Sequence, residues 1–347
     1  MFEIAGRALG TAYKPYIIAE MSANHGGSIE RAKRTILAAK VAGASAVKMQ
    51  TYTPDTMTID SDLPDFQIDT GLWAGTSLYN LYLTAHTPFE WHEELFDFSR
   101  AHGLTLFSTP FDETAVELLE RVNTPAYKIA SFELTDLPLI ECAASTGKPI
   151  LISTGMSSLA DIGEAVETCK RVGNDDVLLL HCISSYPASV ETSCLSNMKI
   201  LAKEFRTLVG LSDHTVENVA SIAAIAMGAS AIEKHFKLDN EDCGPDSSFS
   251  VLPSQFGELV RDCDSVHAAV AESDFRRSEE EAGNMRFRRS LYFVRDMKAG
   301  EKVDLHSIRR IRPGFGLAPK FLEAVQGRTL KESVKKGEPV KWEDFES

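Results

Sequence analysis

Up to about residue 270, short apolar runs rich in β-branched residues alternate with stretches in which apolar side chains recur every three or four positions. The short runs predict strands: YIIAE (16–20), AVKMQ (46–50), LTLFST (104–109), AYKIA (126–130), PILIS (149–153), VLLLH (177–181), TLVGLS (207–212) and SAIEKH (230–235). Between them ERAKRTILAAKVAG (30–43), PFEWHEELFDFSRAHG (88–103) and LADIGEAVETCKRVG (159–173) carry the helical period and stop at Gly, which accepts the C-cap conformation. Eight strand–helix repeats predict the α/β class and a (β/α)8 barrel. A doubly wound open sheet is the alternative. It would want a GxGxxG turn after an early strand, and the chain has none.

The pattern changes beyond residue 272. ESDFRRSEEEAGNMRFRR is charged and poor in apolar residues, and reads as a linker over 273–285. After it, SLYFVRDMKAGEKV and LKESVKKGEPVKW carry two similar K-x-G-E turns between short apolar runs, predicting a small, mostly β domain over 286–347. The barrel domain is expected to span 1–272. One connection breaks the rhythm. Between the strand at 46–50 and the helix near Pro88 the chain runs several times longer than a usual barrel loop, as expected of a lid or substrate loop.

Composition narrows the partners more than the fold. The 347 residues carry a net charge of −14, which argues against nucleic acid or an anionic membrane as the main partner, although local lysines can still bind a small anion. Six scattered cysteines without a CxxC pair, and an N-terminus lacking the features of a secretion signal, lead us to expect reduced thiols and a cytoplasmic protein.

Barrel enzymes work at the C-terminal ends of their strands. Those ends read Glu20, Lys48 and Gln50, Thr109, Lys128 and Ser131, Ser153, His181, Ser212 and His214, then Glu233 and His235. Polar residues at all eight ends favour a shared pocket over eight unrelated caps. His214 and His235 end neighbouring strands and could share a divalent metal, with His181 as a weaker third contributor. Lys48 and Lys128, with Thr109, Ser131, Ser153 and Ser212, read as an anion cradle. The alternatives are pairing with a carboxylate such as Glu20 or Glu133, or a Schiff-base lysine at Lys128. Glu20 is a candidate base. Trp73, Tyr79 and Tyr82 in the long connection read as a staple for the lid, with stacking on a sugar as the alternative. Arg312, in IRPGFGLAP (311–319), reads as a guanidinium held by a stiff loop.

The stretches IIAEMSANHGGS, AVKMQTYTPDT, LFSTPFD, AYKIAS, ISTGMSS, HCISSYP, GLSDHT, SAIEKHF, GPDSSFS and IRPGFG, in this order over nearly the whole chain, resemble the sialic acid synthases. The C-terminal segment resembles their antifreeze-like (SAF, β-clip) domain. The resemblance implies condensation of phosphoenolpyruvate with the open-chain form of an N-acetylated amino sugar, assisted by Mn2+ or Mg2+ on His214 and His235. It implies acid/base work for Glu20, and phosphoenolpyruvate binding by Lys48, Thr109, Lys128, Ser131, Ser153 and Ser212. Gln50, Tyr186 and Asp246 match positions around the sugar. Arg312 matches an arginine that reaches the sugar from the partner in a domain-swapped homodimer. KMQTYTPDT, GLWAGTSLYNLY and TPFEWH resemble the pseudaminic acid branch, and Ser184 stands where neuraminic enzymes carry Asn. The implied sugar is 2,4-diacetamido-2,4,6-trideoxy-L-altrose; neuraminate or legionaminate synthesis is the alternative within the family. A silent sugar-binding scaffold is the alternative outside enzymes, disfavoured because every charged strand end is retained.

Overall fold

The computed structural model describes residues 2–241, 244–270 and 278–346. It separates into two compact units, residues 1–272 and 273–347.

The first unit opens with a hairpin, β1 (Glu3–Ile4) against β2 (Arg7–Ala8), that the sequence pattern did not single out. Two residues at positive φ, Ala5 and Gly6, make its turn. Eight parallel strands follow: β3 (Tyr16–Glu20), β4 (Ala46–Thr51), β5 (Thr105–Pro110), β6 (Tyr127–Ile129), β7 (Ile150–Ser153), β8 (Val177–Cys182), β9 (Leu208–Asp213) and β10 (Ala231–His235). They close in chain order into a barrel, with β10 against β3. All eight expected strands form. The principal helices around them are α1 (Ile29–Val41), α4 (His92–Ala101), α5 (Glu113–Arg121), α6 (Leu137–Ala144), α7 (Leu159–Arg171), α8 (Asn197–Phe205), α9 (Val219–Ala226) and α10 (Pro253–Val270). Several start on side-chain caps, Ser28, Asp112, Asp136 and Ser158, each accepting from a first-turn backbone N–H.

Strand alternation splits the apolar residues into two cores. Tyr16, Ile18, Phe107, Leu151, Leu178 and Leu180 point inward and fill the barrel, joined by Phe2, Ile4 and Leu9 from the N-terminal segment. The outward set, among them Ile17, Val47, Leu106, Ile152 and Val209, packs beneath the helices. Gly210 occupies an inward position where any side chain is excluded. A Cβ there would sit 2.4 Å from the Ala231 carbonyl oxygen.

The long connection after β4 is folded. It contains α2 (Pro54–Met57), a 3-10 turn at Pro64–Phe66, and α3 (Leu78–Ala85), capped by Ser77. A bridge pairs Gln67 with Ser77, and the Trp73 indole N–H donates to the Pro245 carbonyl at 3.1 Å.

In the second unit, a short helix α11 (Glu279–Gly283) lies within the segment read as linker and a 3-10 turn (Asn284–Phe287) runs past its end; residues 273–277 fall outside the described residues. A two-stranded antiparallel ladder, β11 (Ser290–Phe293) with β12 (Ile308–Ile311), and isolated bridges surround a core of Leu291, Phe293, Val303, Ile308, Leu330 and Val340. The single helical turn α12 (Leu322–Val325) adds Val325 to it. Both K-x-G-E segments are turns with the glycine at positive φ (Gly300 +81°, Gly337 +94°), closed by Glu301 N–H to Lys298 and Glu338 N–H to Lys335.

Candidate active site

The inward positions that fill the barrel with Ile18, Leu151, Leu180 and Ala231 continue, two residues later, as Glu20, Ser153, Cys182 and Glu233. With Lys48, Gln50, Lys128, Ser131, Ser212, His214 and His235 they line one cavity of about 430 Å3, whose rim includes Tyr186 and Asp246. That volume lies within the range of small-molecule sites. Register brings the strand ends together: His235 is level with Glu20, Glu20 with Lys48, and Ser212 with both Cys182 and Glu233. Thr109 stands behind this lining, accepting from the Lys48 ammonium at 3.0 Å. Arg312 belongs to the second unit, where it is exposed and precedes a cis peptide to Pro313.

The lysines are held by carboxylates, the alternative weighed above, and the same pairing leaves them aimed at the cavity. Lys48 Nζ lies 2.9 Å from Glu20 Oε2 and 3.5 Å from Glu233 Oε1; Lys128 Nζ lies 3.6 Å from Glu233 Oε1. Burial opposes the charge on both. At Lys48 the two glutamates outweigh it and raise the pKa; at Lys128 burial prevails and lowers it. Burial likewise pushes the Glu20 carboxyl up to about 7 despite Lys48, whereas the two lysines hold Glu233 below its ordinary value. Glu20 is thus placed to exchange a proton near neutrality while Glu233 stays ionised. The Ser153 hydroxyl and Glu233 Oε2 are buried without hydrogen-bond partners, as expected of groups awaiting a ligand. Gly155 lets the backbone pass close: its N–H donates to Ser131 Oγ at 3.1 Å, and a Cβ would clash with Ser184 Oγ.

The two histidine rings are 5.3 Å apart between centroids, with Tyr186 4.3 Å from His214 and Phe249 4.9 Å from His235. His214 donates its Nδ1 hydrogen to the Ile183 carbonyl at 3.0 Å, leaving Nε2 as a lone-pair donor. His235 is buried with Nδ1 unpartnered, and burial lowers its pKa well below the ordinary value, keeping the imidazole neutral. Against burial, the neighbouring Cys182 thiol and the Ile183 carbonyl raise the His214 pKa; with its Nε2 deprotonated, His214 and the neutral His235 fit a divalent cation whose other ligands are water or substrate. Among the described residues no cluster of three His, Cys, Asp or Glu side chains could hold an ion alone. His181 is no third contributor. It falls on the outward register of β8 and bonds the Ser193 carbonyl at 2.7 Å; Cys182 takes the inward place.

Alternation also explains the middle residue of Ser212-Asp213-His214. Asp213 points outward, where Oδ2 accepts from Lys234 Nζ at 2.8 Å and Ser221 Oγ at 2.5 Å, and Oδ1 accepts from the backbone and hydroxyl of Thr215. Lys234 also donates to the Thr215 and Glu217 carbonyls. This buried ion pair clamps the turn carrying His214 to β10 and α9.

Sequence reasoning passed over several residues of the site. Glu233 was noted as a strand end but given no role, and Glu133, read only as a lysine partner, lines the cavity with burial raising it to about 7. Trp73 and Tyr82 also line it, so they are more than a staple; Tyr79 turns away toward Asp55. Met57, Ile68, Leu78 and Leu81 add an apolar wall. Asn24 and His25 are buried turn residues bonded to Ser250 and Thr87.

Residues 35–274 match the NeuB family and residues 288–346 the SAF domain. The chain is 42% identical to pseudaminic acid synthase of Helicobacter pylori, over 96% of this chain and 98% of the other. It is 40% identical to pseudaminic acid synthase of Campylobacter jejuni subsp. jejuni, over 97% and 98%. The crystal structure of spore coat polysaccharide biosynthesis protein spsE from Bacillus subtilis superposes with a TM-score of 0.68 at 31% identity, covering 100% of this chain and 99% of that one.

Proposed function

Because the chain belongs to the NeuB family and carries a SAF domain, we propose that it is a pseudaminic acid synthase, joining phosphoenolpyruvate to 2,4-diacetamido-2,4,6-trideoxy-L-altrose. The observation that carries this reading is the single cavity in which two buried lysines, a proton-exchanging glutamate and the imidazoles of His214 and His235 meet.

Lys48 and Lys128 take the phosphate and carboxylate of phosphoenolpyruvate, with hydroxyls from Ser131, Ser153 and Ser212 filling in around the anion. Thr109 acts from behind by orienting Lys48. Gln50, hydrogen-bonded to Glu20 at 3.1 Å, and Tyr186 and Asp246 face the sugar. His214 and His235 would hold a divalent cation, Mn2+ or Mg2+, which when bound would supply Lewis-acid polarisation of the sugar's aldehyde. C3 of phosphoenolpyruvate forms a bond to the aldehyde carbon with its enol π pair, and the aldehyde oxygen takes the proton of the Glu20 carboxyl. Water then adds to C2, giving its proton to the Glu20 carboxylate. The C2–O bond to phosphate breaks with its electron pair leaving on phosphate, the C2 hydroxyl proton passes to the departing phosphate, and C2 becomes the ketone of the nine-carbon acid.

We further assign Arg312 to the sugar site of a partner chain in a domain-swapped homodimer, and the protein to the cytoplasm. The five free cysteines among the described residues support the latter. No helix among those residues is long and apolar enough to cross a membrane. The product would feed glycosylation of flagellin or another surface glycan.

Phosphate release from phosphoenolpyruvate tests the reading with three sugars in parallel: the altrose derivative, the legionaminic precursor and N-acetylmannosamine, each with and without EDTA. EDTA-sensitive turnover with the altrose derivative alone is expected. Turnover with another sugar alone would move the chain to another branch, and no turnover with any would overturn the enzyme reading.

A further inference from the structure

The cavity has two unlike halves. Four of its lining residues, Leu78, Leu81, Tyr82 and Ala85, lie at i, i+3, i+4 and i+7 of α3. This is the spacing of an amphipathic helix's buried stripe. Here the stripe faces a cavity: only Ala85 is fully buried, while Leu78, Leu81 and Tyr82 keep partial exposure. Met57 from α2 and Ile68 extend the same surface. A helix that turns its apolar side toward an open site leaves that area in water until a ligand covers it.

We propose that the α3 stripe is the specificity wall for the sugar and receives its methyl groups, the C6 methyl foremost. This rests on the function proposed above and deepens it. Phosphoenolpyruvate is a small trianion with no apolar part of comparable size, and the charged strand ends account for it. The amino sugar carries two acetyl methyls and a deoxygenated C6, which are the apolar features available to cover leucine side chains in the same cavity. An OH at C6 would be placed against Leu78 and Leu81 without a hydrogen-bond partner from them, so the wall rejects the hydroxylated sugar.

The test compares kcat/KM for the 6-deoxy sugar and its 6-hydroxy counterpart. A hydrophobic pocket discriminates at this level by roughly 10–200-fold, and we expect the unaltered enzyme to favour the 6-deoxy sugar within that range. Leu81→Asn and Leu78→Asn should each cut the preference about tenfold, leaving KM for phosphoenolpyruvate within about twofold. Leu83, exposed on the opposite side of α3, supplies the control: Leu83→Asn should change neither. Leu81→Ala, which retains helix propensity, serves if the polar variants fail to fold. A preference unchanged in the variants, or equal losses for both sugars, would overturn the wall while leaving the synthase reading intact. No turnover of either sugar by the unaltered enzyme would instead remove both.

Discussion

The barrel's strand ends and the long connection after β4 build the same cavity from opposite materials. The strand ends supply Glu20, Lys48, Lys128, Glu233 and the two imidazoles, all buried and held by neighbouring strands in fixed register. The connection supplies leucine, methionine, isoleucine and aromatic side chains from short helices and the loop between them, partly exposed to the cavity. The first region pre-organises charge, which is costly to bury and must be placed once. The second offers shape and apolar area, which can vary without disturbing the first. Chemistry and sugar choice are thereby separated within one site.

The separation breaks most visibly at Lys128. Lys128→Met should lower kcat/KM about 10^3-fold by removing a charge aimed at the anion, with folding retained because Glu233 still has Lys48. Tm by calorimetry and phosphate release check the two halves of that statement.

Metal removal comes next. EDTA should abolish turnover, and His214→Ala and His235→Ala should each abolish Co2+ or Mn2+ binding measured by titration. Retained activity without a divalent cation would sink the assignment of the imidazoles.

A smaller effect sharpens the role of the outward residues. Lys234→Met should loosen the turn carrying His214 and weaken Mn2+ affinity about 10–100-fold, as loss of supporting groups around a metal does. Phosphoenolpyruvate affinity should change little. Equal weakening of both would mean that the Asp213–Lys234 pair serves general stability alone.

The smallest effect is in pH dependence. Burial lifts the Glu133 carboxyl to about 7 from 4.5, so the folded chain holds this proton more tightly than the unfolded one. Its contribution to stability is fully present below pH 4.5 and is lost as pH rises through about 7. Glu133→Gln should therefore flatten the fall in Tm between pH 5 and 8, at about 2 °C per kcal/mol for a domain of this size. An unchanged slope would contradict the burial argument.

What the sequence made legible follows the same division. A strand's period of two places every second residue inward, so the barrel and the strand-end residues could be read from apolar runs and their last positions. The reading slipped where it treated a strand's last residue as inward without tracing the alternation, which admitted His181 and omitted Cys182. It also could not see that Asp213 and Lys234 meet outside the barrel, since that contact joins adjacent strands through side chains facing the helices. The stripe on α3 is short, and GLWAGTSLYNLYLTAH does not tell by itself whether such a stripe faces a core or a cavity. Only tertiary placement settles that. The N-terminal hairpin escaped because two-residue strands carry no periodicity.

The most direct test of the division is the affinity for phosphoenolpyruvate in the absence of sugar, by titration calorimetry of the unaltered protein, Lys128→Met and Leu81→Asn. The account predicts binding weakened at least tenfold in Lys128→Met, a loss of about 1.4 kcal/mol, and within twofold of the unaltered protein in Leu81→Asn. Comparable losses in both would contradict it, because the wall and the strand ends would then be one binding surface.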